Sequence, residues 1–63
     1  MLSEQLKIIR KANKFTQQEL ADAIGIERST YASYETGRNK PDVVLFKRIA
    51  DVFGVSSDFI LEI

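Results

Sequence analysis

The sequence predicts an all-α fold: a compact bundle of five short helices forming one domain over residues 1–63. Three observations carry that expectation. Apolar residues recur at three- and four-residue intervals in short blocks, the period of a helix with one buried stripe. Each of the three glycines closes such a block, where a helix commonly ends in the left-handed conformation. No strand pattern, internal repeat or low-complexity segment stands out along the chain.

The first helix is expected over residues 3–13, where Leu6, Ile9 and Ala12 share a face with Leu2 one turn earlier. Ser3 is read as its N-cap, Glu4 suits the positive end of the helix dipole, and Asn13-Lys14 breaks the pattern. The second helix opens on the capping box Thr16-x-x-Glu19, with Phe15 and Leu20 at the spacing of a hydrophobic staple. Leu20, Ala21 and Ile24 form its buried stripe, and Gly25 ends it. Only Ile26 and Glu27 separate Gly25 from the third helix, Arg28 to about Glu35, which Gly37 closes. So short a connection makes two helices cross steeply, the helix-turn-helix arrangement. Arg38-Asn39-Lys40-Pro41 is a loop, Asp42 caps a fourth helix that runs to Phe53, and Gly54 stops it. Ser56 or Ser57 opens a last short helix, Asp58 to about Glu62.

Composition narrows the chemistry. The chain has no cysteine, so neither a disulfide nor thiolate chemistry is available. It has no histidine, the commonest general base and a usual zinc ligand. No nucleophile–base pair or phosphate-cradling glycine loop appears, which argues against an enzyme. No cofactor, metal or small-molecule ligand is expected. No apolar run nears the ~18 residues of a membrane span, and no signal-peptide core opens the chain, so a soluble cytoplasmic protein is expected. The net charge is zero, but residues 1–40 hold seven Lys/Arg against five Asp/Glu, while residues 41–63 hold two against four. A neutral total can therefore present a basic edge.

The stretch "ERSTYASYETGRNKP" is unusual for a helix built only to pack. Arg28, Ser29, Ala32 and Ser33 share one face of the third helix, while Thr30, Tyr31 and Tyr34 point elsewhere. Such a low face admits the helix to a major groove about 12 Å wide, where polar side chains meet base edges and Arg is the commonest reader of guanine. The alternative is a solvated face without a partner.

The run "TQQELADAIGIERSTYASYETGRNKPD" resembles the helix-turn-helix of the lambda-repressor-like (XRE, or Cro/cI-type) family of phage and bacterial regulators. Thr16-Gln17, Leu20-Ala21, Gly25, Tyr34-Glu35, Gly37 and Pro41 stand at that family's spacing, and "IADVFGVSSDFI" resembles its fourth and fifth helices. The resemblance covers Leu2 to about Glu62 and implies sequence-specific binding to a double-stranded DNA operator, with repression the usual outcome. It places Gln17 at the start of the second helix, where backbone donors grip a phosphate. It makes Arg28, Ser29, Ala32 and Ser33 the groove face, and Arg38, Asn39 and Lys40 the contacts to the DNA backbone. Lys14 stands as a phosphate contact or an ordinary exposed lysine. Arg10 and Glu35 are expected to form an internal ion pair rather than to touch DNA.

Two positions depart from the family pattern. Glu27 stands where a capping Ser or Thr is usual, and Tyr31 replaces a branched aliphatic residue. The Tyr31 ring is expected in the core, with its hydroxyl reaching water or a phosphate. A protein-interaction or antitoxin-like module on the same fold is the competing reading. One reading helix per chain also leads to the expectation of a homodimer on DNA. In that expectation Val43, Phe46, Ile49, Ala50 and Phe53 line the core, while Val44, Leu45 and Val52 lie outside it as an apolar surface. Phe59, Ile60, Leu61 and Ile63 add further apolar area.

Overall fold

A computed structural model describes residues Leu2–Ile63 and is all-helical: α1 (Leu2–Ala12), α2 (Gln17–Ile24), α3 (Arg28–Thr36), α4 (Val43–Phe53) and α5 (Ser57–Glu62). The principal packing pairs are α1 with α3, α3 with α2, α2 with α4, α4 with α5 and α5 with α1. The helices therefore close a ring, and each sends at least one apolar side chain into its middle. Leu6 and Ile9, then Leu20, Ala21 and Ile24, then Tyr31 and Tyr34, then Ile49 and Ala50, and finally Ile60 are all buried. A chain this small buries a modest fraction of its surface, so the core draws on every element.

Local chemistry sets the helix ends. The α2 capping box is complete: Thr16 Oγ1 accepts from Glu19 N–H at 3.0 Å, and Thr16 N–H donates to Glu19 Oε1 at 2.8 Å. Phe15, just before the cap, also meets Phe53 at the end of α4 edge to face, with ring centroids 5.4 Å apart. Asp42 and Ser56 cap α4 and α5 through their side chains. Helix α1 starts earlier than the sequence pattern suggests. Ser3 lies inside it and is not its cap, because Leu2 already packs, partly buried, against the core. The side chain of Gln5 closes the ring by donating to the carbonyls of Leu61 and Ile63 at 2.6 and 3.1 Å. These are carbonyls that the end of a helix leaves without an intrahelical donor.

The two joints, α2 to α3 and α4 to α5, are built alike. Gly25 and Gly54 adopt φ of +79° and +68°, and each donates its N–H to the carbonyls of an Ala-Asp pair, Ala21-Asp22 or Ala50-Asp51. The next residue, Ile26 or Val55, donates back to the same alanine carbonyl at 3.0 or 3.1 Å. The likeness is confined to the turn and is too short to register as a repeat along the chain.

Helix α4 corrects the expected stripe. Val43 is 85% exposed instead of lying in the core, while Leu45 and Val52 pack against the core instead of standing outside it. The inward stripe is Leu45, Phe46, Ile49, Val52 and Phe53, with Ala50 buried at its edge. Spacing alone puts Val43 in register with the stripe. At the first turn of α4 the contact falls instead to Leu45 and Phe46, which pack against the core while Val43 faces outward.

Candidate nucleic-acid interface

The α2–α3 joint presents α3 outward at a fixed angle. Arg48 of α4 steadies the end of α2 by donating to the Ile24 carbonyl at 3.3 Å, next to Gly25. Glu27 occupies the N-cap position of α3 and makes no side-chain capping bond. The helix is anchored by its inner face instead, where Tyr31, Tyr34 and Glu35 are buried and the two tyrosine rings meet edge to face.

Arg28 and Ser29 are exposed, and Ala32 and Ser33 are partly buried. Ser33 is committed within the chain: its Oγ donates to the Thr30 carbonyl at 2.6 Å and accepts from Asn39 Nδ2 at 3.1 Å. The Asn39 N–H also bonds the Ser33 carbonyl at 3.2 Å, so the loop after α3 is tied to the outward helix face. Thr36 extends that face, a residue that sequence reasoning misses because α3 runs one position past Glu35. Its place at i+7 from Ser29 and i+3 from Ser33 is the available signal. Arg38 and Lys40 are exposed beside it.

Behind this face lies a polar network centred on Glu35. Arg10 clasps the carboxylate with two donors, Nε to Oε2 at 2.6 Å and Nη2 to Oε1 at 3.1 Å, and its Nη1 donates to the Phe15 carbonyl at 2.7 Å. Tyr31 OH donates to Oε2 at 2.6 Å, and Gln17 Nε2 donates to Oε1 at 3.0 Å. The Tyr31 hydroxyl thus turns inward, not toward water or phosphate as expected, because a buried carboxylate is a stronger acceptor than the alternatives within reach. Burial alone would push the Glu35 carboxyl up, but the bonds from Arg10, Tyr31 and Gln17 prevail and hold it below the ordinary carboxylate range. The Arg10 guanidinium, bonded to Glu35, is raised against the opposing effect of burial. Burial, with the bond to Glu35, pushes the Tyr31 hydroxyl far above the usual phenol range.

The network reaches the surface through Gln17. Its Oε1 accepts from Arg28 Nη1 at 3.2 Å, so Arg28, Gln17, Glu35 and Arg10 form one hydrogen-bonded chain. The side chain of Gln17 therefore points to Glu35 and Arg28. Its backbone N–H and that of Gln18 lie in the first turn of α2, where no intrahelical acceptor exists. Such a pair of donors at the positive end of a helix suits an anion. Lys14, at the α1–α2 turn, is exposed and has a φ of +60°, rare for a residue with a side chain.

A helix-turn-helix family model matches residues 6–60. The chain is 39% identical over 62 residues to the SPbeta prophage-derived HTH-type transcriptional regulator YonR of Bacillus subtilis, covering 98% of this chain and 57% of that protein. It is 44% identical over 62 residues to the HTH-type transcriptional regulator YqaE of the same organism, covering 98% and 53%. It thus spans about half the length of these curated relatives. Among solved structures, the biofilm master regulator SinR, crystallised in complex with DNA, superposes with a TM-score of 0.88 at 26% identity, covering 97% of this chain and 98% of that one. With its five-helix ring, its glycine-jointed α2–α3 unit and a match over most of its length, the chain belongs to the lambda-repressor-like helix-turn-helix family.

Proposed function

We propose that this domain binds double-stranded DNA sequence-specifically as a transcriptional regulator, with α3 entering the major groove. The observation that carries the reading is Arg28, exposed at the first turn of α3 and braced by Gln17 beside the low face of Ser29, Ala32, Ser33 and Thr36. The backbone donors of α2 and the exposed Arg38, Asn39 and Lys40 lie on the flanks, where phosphates fix the register. The regulators YonR and YqaE, and the crystallisation of SinR with DNA, support the same reading. A domain occupying an operator excludes other proteins from that DNA, so repression in the cytoplasm is the proposed outcome.

Selection of bound sites from a random duplex pool tests this. Arg28→Ala should cost about 1–3 kcal/mol on the preferred site and flatten one position. Lys40→Ala should weaken all duplexes alike and lower the salt slope by about 0.9 for a lost phosphate contact. Salt-independent binding, or none, would turn the reading toward a protein-interaction module.

The domain is further proposed to act as a homodimer on two half-sites, since each copy has one α3. Val44 at 61% exposure and Phe59 at 49% offer apolar surface for a weak interface. Val44→Glu is the appropriate probe, because Leu45 packs on the core and its replacement would disturb the fold. The variant should melt as wild type while losing cooperative occupation of a two-half-site duplex.

A further inference from the structure

The Glu35 carboxylate is filled. Oε1 accepts from Gln17 Nε2 and Arg10 Nη2, and Oε2 accepts from Arg10 Nε and Tyr31 OH. A carboxylate held ionised by a two-point guanidinium clasp only accepts, so the group that Gln17 turns toward it must be the NH2 end of its amide. The other end is then the carbonyl oxygen, and it faces Arg28 at 3.2 Å. A guanidinium only donates, so the two polarities agree along the whole chain. With an amide in place of the carboxylate, Gln17 could turn over and aim NH2 at Arg28, donor against donor.

We propose that buried Glu35 is a positioning residue for base reading: by fixing the polarity of the Gln17 amide it holds the Arg28 guanidinium in a guanine-reading pose. The inference rests on the reading of Arg28 as a base contact. The bond to Gln17 engages Nη1, leaving Nε and Nη2 for the O6 and N7 acceptors of guanine. A side chain held before binding loses less rotamer freedom on the DNA. Glu35 thereby contributes to sequence preference from a site that is 7% exposed and touches no base.

The test is site selection from a random duplex pool with wild type, Arg28→Ala, Gln17→Met and Glu35→Gln, the last made in both the wild-type and the Gln17→Met backgrounds. Gln17→Met keeps the backbone donor and the side-chain length but removes both amide bonds. It should lower guanine preference at the Arg28-dependent position about 3- to 10-fold, the weight of one hydrogen bond, with the salt slope unchanged. Glu35→Gln should lower the same preference in the wild-type background and add nothing in the Gln17→Met background. A purely structural role would weaken all duplexes equally and leave the preference intact. If Arg28→Ala flattens the position and Gln17→Met leaves it at the wild-type level, the inference is overturned while the base-reading role stands. If Arg28→Ala leaves every position unchanged, both fall. A further loss from Glu35→Gln in the Gln17→Met background would overturn the route through Gln17. Should Glu35→Gln not fold, Glu35→Asp takes its place in both backgrounds, since the shorter side chain keeps the carboxylate charge but withdraws it from the Gln17 amide. An unchanged guanine preference in that variant would overturn the inference.

Discussion

The α2–α3 and α4–α5 halves share a joint and diverge in the helix that comes after it. In both, a left-handed glycine and a β-branched residue fold back on the Ala-Asp pair near the end of the preceding helix. After the first joint comes a nine-residue helix, exposed on a polar face and tied from behind to a buried ion pair. After the second comes a six-residue helix that buries Ile60 and leaves Phe59 and Leu61 about half exposed. The turn sets how two helices cross. The side chains that the second helix displays, and whether they are braced, set what the pair can bind. Hydrogen bonds are directional and hold a side chain at an angle, whereas apolar contact holds it only at a depth.

The largest effect that should separate the halves lies in the brace. Arg10→Ala or Glu35→Ala strands a buried charge and should cost about 3–5 kcal/mol in urea unfolding, with the double substitution losing less than the sum. Additive losses would mean that the network is not cooperative and that the two halves are held in much the same way.

The same brace should respond to pH. The Glu35 carboxyl lies below its ordinary value of 4.5 in the folded protein, so its contribution is complete above that value and is lost as pH falls through the lower folded value. Tyr31 is shifted up, so its contribution is complete below its ordinary value of 10.0 and is lost as pH rises beyond it. Stability measured against pH should therefore fall at both extremes, and Glu35→Gln should flatten the acid side.

The joints themselves should behave as a matched pair. Gly25→Ala and Gly54→Ala each force a side chain into the left-handed region and should cost about 1–2 kcal/mol, within a few tenths of each other. Only Gly25→Ala should also reduce DNA binding beyond what its lost stability explains, because it re-aims α3. Equal binding by the two variants would show that α3 is oriented by the network and not by the turn.

The smallest effect concerns Lys14, which holds φ +60° without being glycine. Lys14→Gly should raise stability by up to about 1 kcal/mol, the relief of a left-handed residue set against the freer unfolded chain. If the same change lowers affinity for all duplexes with a shallower salt slope, Lys14 also meets a phosphate.

The five helices, and most of their ends, are legible in the sequence. Thr16-x-x-Glu19, Asp42 and Ser56 start helices, and Gly25, Gly37 and Gly54 end them, because caps and left-handed turns are satisfied within a few residues of chain. It also marked the outer face of α3, since small polar residues at helical spacing are visible without knowing what lies behind them. Beyond the Arg10–Glu35 pair, which the family resemblance implies, the residues that meet from a distance follow from the packed helices and not from the sequence pattern. Val43 and Leu45 both fit an apolar period, and only the position of α2 and α5 around α4 made one exposed and the other inward. Gln17 reads as a helix start, and only the approach of α1, α2 and α3 turned its amide into the link between Glu35 and Arg28. Local hydrogen bonds are written in neighbouring residues. A side chain's burial and its distant partners depend on the whole packed ring, and no short window of sequence contains that.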